Sequence, residues 1–314
     1  MLGMRGWMKN IGRYNMYGFQ QHLSSQFPSQ VIVDVTQVCN SNCIHCPHSE
    51  FEETYIYKGL HLLKQLNKKL VDEVTKHNEC QYIRYTANGE PLMHPDIIEM
   101  IVYAKQSGKK VNLTTNGKLL TKDISAKLIE AGVDVIDISI NAFSEGVYKT
   151  ITGQSLIPVK ENVIDLIKQK GSTKVFVSFV KHPENKQEID IFENYWNRAG
   201  VDKVLLREFH SFVGLIENNA EKKNRKPCLY PFERLSLSPN GFIHYCPEDW
   251  YGKSRLGDFR KVSLKEVWEG KQLQEIRQAH LQGMPNGLCK KCNDWQFTKF
   301  PNEGKSYANL MQDI

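Results

Sequence analysis

The chain has 314 residues, 40% of them hydrophobic and 24% charged, with a net charge of +6. That is enough chain to bury a large core, in the ordinary balance of a globular protein. No run of about eighteen apolar residues spans a membrane, Met1–Trp7 lacks the apolar stretch of a secretory signal, and no basic block interleaved with aromatics marks a nucleic-acid surface. The expected setting is cytoplasmic, with neither membrane nor nucleic acid as partner, and eight locally clustered cysteines there point to metal rather than disulfides.

Residues 1–28 are polar, dotted with aromatics and without a period, and read as an N-terminal arm. Val31–Val35 reads as a buried strand and runs straight into Cys39, Cys43 and Cys46. Helical spacing over Leu60–His77 places Leu62, Leu63, Leu66, Leu70 and Val74 on one face. Strand Tyr82–Ala87 ends at Asn88-Gly89-Glu90-Pro91, and helix Pro95–Ser107 follows. Strand Val111–Thr115 ends at Asn116. Helix Thr121–Ala131 has Thr121 as its cap and Gly132 beyond its end. Strand Val133–Ile140, helices Ser144–Ile151 and Val159–Lys170, strand Lys174–Val180, helix Glu188–Ala199 and strand Lys203–Arg207 complete the alternation.

Six strand–helix alternations with short loops predict an α/β fold, a parallel sheet with helices outside, over residues 29–215. Six units suit an open, partial (β/α)6 barrel. Residues 216–227 read as a linker, with the charged run at 222–226 solvated. Residues 228–314 read as a small α+β domain, with a hairpin of Leu235–Ser238 and Phe242–Tyr245 about Asn240-Gly241, a helix over Ser263–His280, and Cys289-Lys290-Lys291-Cys292. In parallel sheets ligands gather at the carboxyl ends of strands. The three-cysteine loop, Gly89-Glu90, Thr115-Asn116, Asn141 and Arg207-Glu208 all fall at such ends.

Three thiolates on one loop can each hold one iron of a cubane and leave the fourth open, whereas structural zinc wants four closed ligands. The Cys39/Cys43/Cys46 spacing, C-x3-C-x2-C with aromatic His45 before the last thiol, resembles that of the radical S-adenosylmethionine (radical SAM) enzymes. The resemblance implies a [4Fe–4S] cluster on these thiols that binds S-adenosylmethionine at its open iron, and a 5′-deoxyadenosyl radical that abstracts hydrogen from substrate. It also implies S-adenosylmethionine contacts at His45, at Gly89 and Glu90 (similar to the family's second-strand motif, with Asn88 for the first glycine), at Thr115 and Asn116, at Ser139, and at Ser178. A reducing partner such as flavodoxin or ferredoxin is implied as well.

Cys228, Cys246, Cys289 and Cys292 resemble the twitch domain, a shortened SPASM module in which four cysteines fully ligate one auxiliary [4Fe–4S] cluster; a four-thiolate zinc site is the alternative. The motif order is similar to that of radical SAM alcohol dehydrogenases of the 2-deoxy-scyllo-inosamine dehydrogenase kind. Two [4Fe–4S] clusters and S-adenosylmethionine are therefore the expected cofactors. A fully ligated cluster serves as an electron port, so the expected reaction is oxidation of a small polar, carbohydrate- or cyclitol-like substrate to a ketone. Cys80, the one spare thiol, reads as a core residue, which favours dehydrogenation over epimerisation. A peptide-modifying enzyme and a non-enzymatic electron-transfer protein are the remaining alternatives. Arg207, Glu208 and His210 are the candidate catalytic residues, with Glu208 or His210 as base, and Tyr85, Asn141 and Lys181 flank them.

Overall fold

Alternation along the strands decides which side chains face the helices and which face inward. The computed structural model describes residues 26–86, 88–218 and 224–298; the greater part of the predicted arm and the middle of the predicted linker lie outside them. β1 (Gln30–Asp34), β2 (Tyr82–Thr86), β3 (Lys110–Thr115), β4 (Val135–Ser139), β5 (Lys174–Val180) and β6 (Lys203–Arg207) lie side by side in chain order, every neighbouring pair parallel. Val31, Val33, Ile83 and Tyr85 point into the apolar core. Ile32, Asp34, Arg84 and Thr86, at the intervening positions, point into a cavity.

Helix α1 (His48–Glu52) follows the thiol loop and turns Phe51 toward the cavity; α2 (Lys64–Thr75), α3 (Ile97–Lys105), α4 (Lys122–Glu130), α5 (Glu145–Thr152), α6 (Ile157–Gln169) and α7 (Ile189–Ala199) follow it in the chain and pack on the sheet core. Leu70 of α2, Ala104 of α3, Leu166 of α6 and Trp196 of α7 are fully buried in the core. A completely buried leucine contributes about 1.5–3 kcal/mol. Thr121 caps α4, its hydroxyl accepting from Ile124 N at 3.3 Å. α2 starts later than helical spacing predicts, because Leu60 and Leu62 are extended: Gln37 N donates to Leu60 O (2.9 Å) and Leu62 N to Val35 O (2.8 Å).

The C-terminal part joins the same sheet. β7 (Arg234–Leu237) pairs parallel with β1, Gln30 opposite Arg234, and β8 (Phe242–His244) and β9 (Arg255–Asp258) continue antiparallel. The order of the nine strands is β6-β5-β4-β3-β2-β1-β7-β8-β9. The predicted hairpin turns at Gly241, whose φ of 82° suits glycine. β9 is not predicted by its short sequence, nor is α8 (Tyr230–Glu233).

The helix predicted over Ser263–His280 is two helices, α9 (Leu264–Glu269) and α10 (Lys271–Leu281). Gly270 between them is extended, and a side chain there would meet Glu266 O at 2.9 Å. Buried Arg277 ties the short helices together. It donates to Pro231 O (2.8 Å) and Trp268 O (2.9 Å) and lies over the Trp268 ring. Among the described residues no helix is long and apolar enough to cross a membrane.

Candidate active site

The Cys39–Cys46 loop leaves the carboxyl end of β1 and is held from several elements. Asn42 N and Ile44 N donate to Thr152 O (3.3 Å) and Ile151 O (2.9 Å) at the end of α5. Gln154 Nε2 donates to Asn40 O and to Ser41 Oγ (2.9 Å). Asn116 Nδ2 reaches Asn40 Oδ1 (2.7 Å) and Ser41 Oγ (3.1 Å). Gly89 N donates to Thr36 O and Glu90 N to Val38 O, in an approach so close that a Cβ at position 89 would lie 2.2 Å from Val38 O. Only glycine permits this pairing at the entrance to the loop.

Glu90 is 2% exposed. Its carboxylate accepts from Thr115 Oγ1 (2.6 Å), Asn116 N (2.8 Å) and Leu92 N (3.0 Å). Burial raises its pKa above the usual carboxylate value against the pull of these donors. Gly89, Glu90, Thr115 and Asn116 thus converge beside the thiols. Ser139 joins through Asn141, whose Nδ2 lies 3.0 Å from Ser139 Oγ and 3.4 Å from His45 Nε2. Asn141 holds a left-handed φ of 62° and accepts from Val180 N at 2.8 Å, bridging β4 and β5. Burial pushes His45 down to about 4, so its ring is neutral. Ser178 is set apart: it is buried, and its hydroxyl lies 3.4 Å from Ile138 O.

A cavity of about 610 Å³ opens above the strand ends. His45 and Cys46 of the thiol loop line it together with Cys246, Glu248 and Asp249, and so do Asp34, Arg84, Arg207 and Arg234. The three residues predicted as catalytic all line it, and each already has a charged partner. Arg207 pairs with buried Asp137, Glu208 with Lys181 (2.7 Å), and His210 Nδ1 with Glu248 Oε1 (3.4 Å). Burial opposes charge on His210 and Glu248 alike, but each outweighs it for the other, holding His210 above and Glu248 below its usual value.

Asp34 is a cavity residue that sequence reasoning missed. Its Oδ1 accepts from Asn88 N at 3.1 Å, and burial pushes the carboxyl up to about 8. The available signal was an acid at an inward position of an otherwise apolar strand.

Cys228, Cys246, Cys289 and Cys292 come together around a second, small pocket, and Tyr230, Cys246 and Glu248 line both pockets. Asp294 ties this region to the exit of β6, accepting from Ser211 N (2.6 Å) and Val213 N (2.9 Å). Arg225 corrects the solvated reading of the charged run: it donates to Cys292 O (2.7 Å), lies over the Trp295 ring and lines the thiol pocket.

Among the described residues no three His, Cys, Asp or Glu side chains converge as ligands of a single metal ion would; thiolates that each take a different iron of a cluster need not. Burial pushes Cys39 up to about 11, and Cys46 and Cys292 up to about 12. Iron would supply the positive charge that holds such buried thiols as thiolates.

The sequence pattern of the radical SAM superfamily matches residues 33–194, more than half of the chain. The chain belongs to the radical SAM superfamily. A SPASM domain, described as an iron-sulfur cluster-binding domain, matches residues 228–293, so the radical SAM domain is followed by a cluster domain. This pairing implies [4Fe–4S] chemistry and S-adenosylmethionine as cofactors, and the three thiols of the Cys39–Cys46 loop and the four around the second pocket fit it. A relative from Saccharolobus islandicus, named "Probable GTP 3',8-cyclase", is 35% identical over 187 residues, 58% of this chain and 57% of its own. The chain thus spans little more than half the length of the curated relatives it matches.

Among solved structures, the fold is similar to BtrN in complex with AdoMet and 2-DOIA (TM-score 0.60, 18% identical, 85% of this chain and 93% of that one). It is also similar to Streptococcus suis SuiB bound to precursor peptide SuiA (TM-score 0.68, 13% identical, 97% and 76%). At these identities the likeness is one of fold.

Proposed function

We propose that this radical SAM enzyme dehydrogenates a small polar, carbohydrate- or cyclitol-like substrate to a ketone, in the manner of the alcohol dehydrogenases its motif order resembles. Cys39, Cys43 and Cys46 would hold one [4Fe–4S] cluster and Cys228, Cys246, Cys289 and Cys292 a second. The observation that carries this reading is that Cys46 of one thiol set and Cys246 of the other line the same cavity. A substrate held there lies between a site that starts radical chemistry and one that can receive an electron.

When bound, the cofactors supply a 5′-deoxyadenosyl radical that takes the carbinol C–H hydrogen, and an oxidised second cluster that takes the one remaining electron. The protein must then accept the hydroxyl proton. Asp34 is the proposed acceptor, since Glu208 and His210 are held in ion pairs. Those two and Arg207 would bind substrate hydroxyls. His45, which lines the cavity, and Gly89, Glu90, Thr115, Asn116 and Ser139, which lie behind that lining beside the thiol loop, would form the S-adenosylmethionine site, with Ser178 farther off, and a flavodoxin or ferredoxin would deliver the priming electron. Cys80 is buried beneath β2 and does not line the cavity, which speaks against a thiol hydrogen donor for epimerisation.

The curated relatives favour a second reading, a nucleoside triphosphate substrate, and Arg84, Arg207, Arg234 and Arg255 do line the cavity. Arg207 and Arg234 are however paired with Asp137 and Glu233, and Glu208, Glu248 and Asp249 line the cavity beside the remaining arginines. A neutral polyhydroxylated substrate fits this balance better. Anaerobic assays with dithionite, S-adenosylmethionine and a panel of polyols, aminocyclitols and GTP test the choice. The expected result is one ketone per 5′-deoxyadenosine with a member of the polyol or aminocyclitol set; turnover of GTP alone would overturn it.

A further inference from the structure

The four-thiol pocket carries two nitrogen donors that the described fold leaves unused. His280, on α10, is 1% exposed. Its Nδ1 accepts the Cys228 N–H at 3.2 Å, which leaves the ring proton on Nε2, and buried Nε2 has no partner among the described residues. Arg225 engages only Nη1, on Cys292 O at 2.7 Å; its Nε and Nη2 are buried and without partners there. The guanidinium lies over the Trp295 ring, 5.2 Å from its centroid. Both residues line the pocket together with all four cysteines. Buried donors without acceptors are destabilising, most of all when charged, so native folds rarely keep them. Two such donors at one pocket indicate an acceptor that the pocket is built to hold.

We propose that Arg225 and His280 donate N–H···S hydrogen bonds to the sulfur atoms of a cluster held by Cys228, Cys246, Cys289 and Cys292, and that they raise its reduction potential. The inference rests on the second cluster of the proposed function and adds the residues that set its direction of electron flow. One-electron reduction adds a negative charge to the cluster. A fixed guanidinium and an aimed N–H stabilise the more negative form more strongly, so uptake of the electron is favoured. That is the direction a dehydrogenase requires: the substrate radical gives one electron to the oxidised cluster, its hydroxyl proton leaves to a carboxylate, and the C–H hydrogen has already departed. Arg225 and His280 are thus positioning residues, acting through the cluster and not on the substrate.

The test uses the full chain with Cys39, Cys43 and Cys46 replaced by alanine, reconstituted anaerobically so that only the four-thiol site holds iron. EPR-monitored redox titration gives the potential of that site. Arg225→Met is expected to lower the equilibrium constant for one-electron uptake about tenfold, about 59 mV for a one-electron couple, and Arg225→Lys to lower it less. His280→Asn, which keeps an acceptor for Cys228 N–H but loses the far donor, is expected to match Arg225→Met, and His280→Gln to restore part of the loss. Pulsed EPR of the reduced site with Arg225 and His280 intact should show strongly coupled protons that vanish in D2O, a readout independent of how the variants fold. Unchanged potentials at full iron content, or no exchangeable coupling, overturn the inference and leave the second cluster standing. Failure of the alanine-substituted chain to take up iron overturns both.

Discussion

Asp34 Oδ1 accepts the Asn88 N–H at 3.1 Å, joining the end of β1 to the turn that follows β2 and presenting the carboxyl to the cavity. The same residue leads, five positions on, into the first cysteine of the loop, so the proposed proton acceptor and the proposed radical site share one strand end.

Asp34→Asn tests that role. General-base catalysis contributes about 10²–10⁴-fold, and ketone formation should fall by that order while S-adenosylmethionine cleavage continues. In the parent, turnover should rise with pH, reach half its limit near 8, where half of Asp34 is ionised, and level off above that. Stability runs the other way. With the folded pKa raised above the unfolded one, the folded state keeps a proton that the unfolded state releases between the ordinary carboxylate range and pH 8, so stability falls as pH rises through that window. The asparagine variant lacks this term and should melt higher than the parent at pH 8 but not at pH 4. Equal melting temperatures at pH 8 would contradict the burial argument.

Gly89→Ala places a methyl group 2.2 Å from Val38 O. The backbone must move, and overpacking of this kind costs about 1–3 kcal/mol. Because the displaced carbonyl adjoins Cys39, the first site should lose most of its iron while the four-thiol site keeps its own. Iron analysis combined with a thermal melt distinguishes this from general unfolding.

Glu90→Gln turns one acceptor into a donor facing Thr115 Oγ1, Asn116 N or Leu92 N. One buried donor then lacks its partner, a cost of about 1–3 kcal/mol. A fall in stability of that size, with weaker S-adenosylmethionine binding by calorimetry, is expected; unchanged values for both would remove Glu90 from the account.

Much of this fold was legible in the sequence because its cues are local. β5 and β6 stand where continuous apolar runs place them, and Thr121 caps α4 as its position before an amphipathic segment implies. Clustered cysteine spacing marked both thiol sets. What escaped depends on partners distant in the chain. Helical periodicity runs unbroken through Gly270, whereas the two short helices meet around Arg277, which reaches back to Pro231 O, forty-six positions upstream. Arg225 sits in a charged run that reads as solvated, yet Trp295 arrives from seventy positions downstream to cover it. Glu208 and His210 read as available bases, but Lys181 and Glu248, on other elements, engage them. The pairing of β7 with β1 likewise joins segments about two hundred residues apart.

The central claim is that two clusters bound the cavity, and counting iron tests it most directly. After anaerobic reconstitution with iron and sulfide, the parent should hold about eight irons per chain, and the Cys228→Ala/Cys246→Ala variant about four. Four irons in the parent, with zinc at the second site, would contradict it.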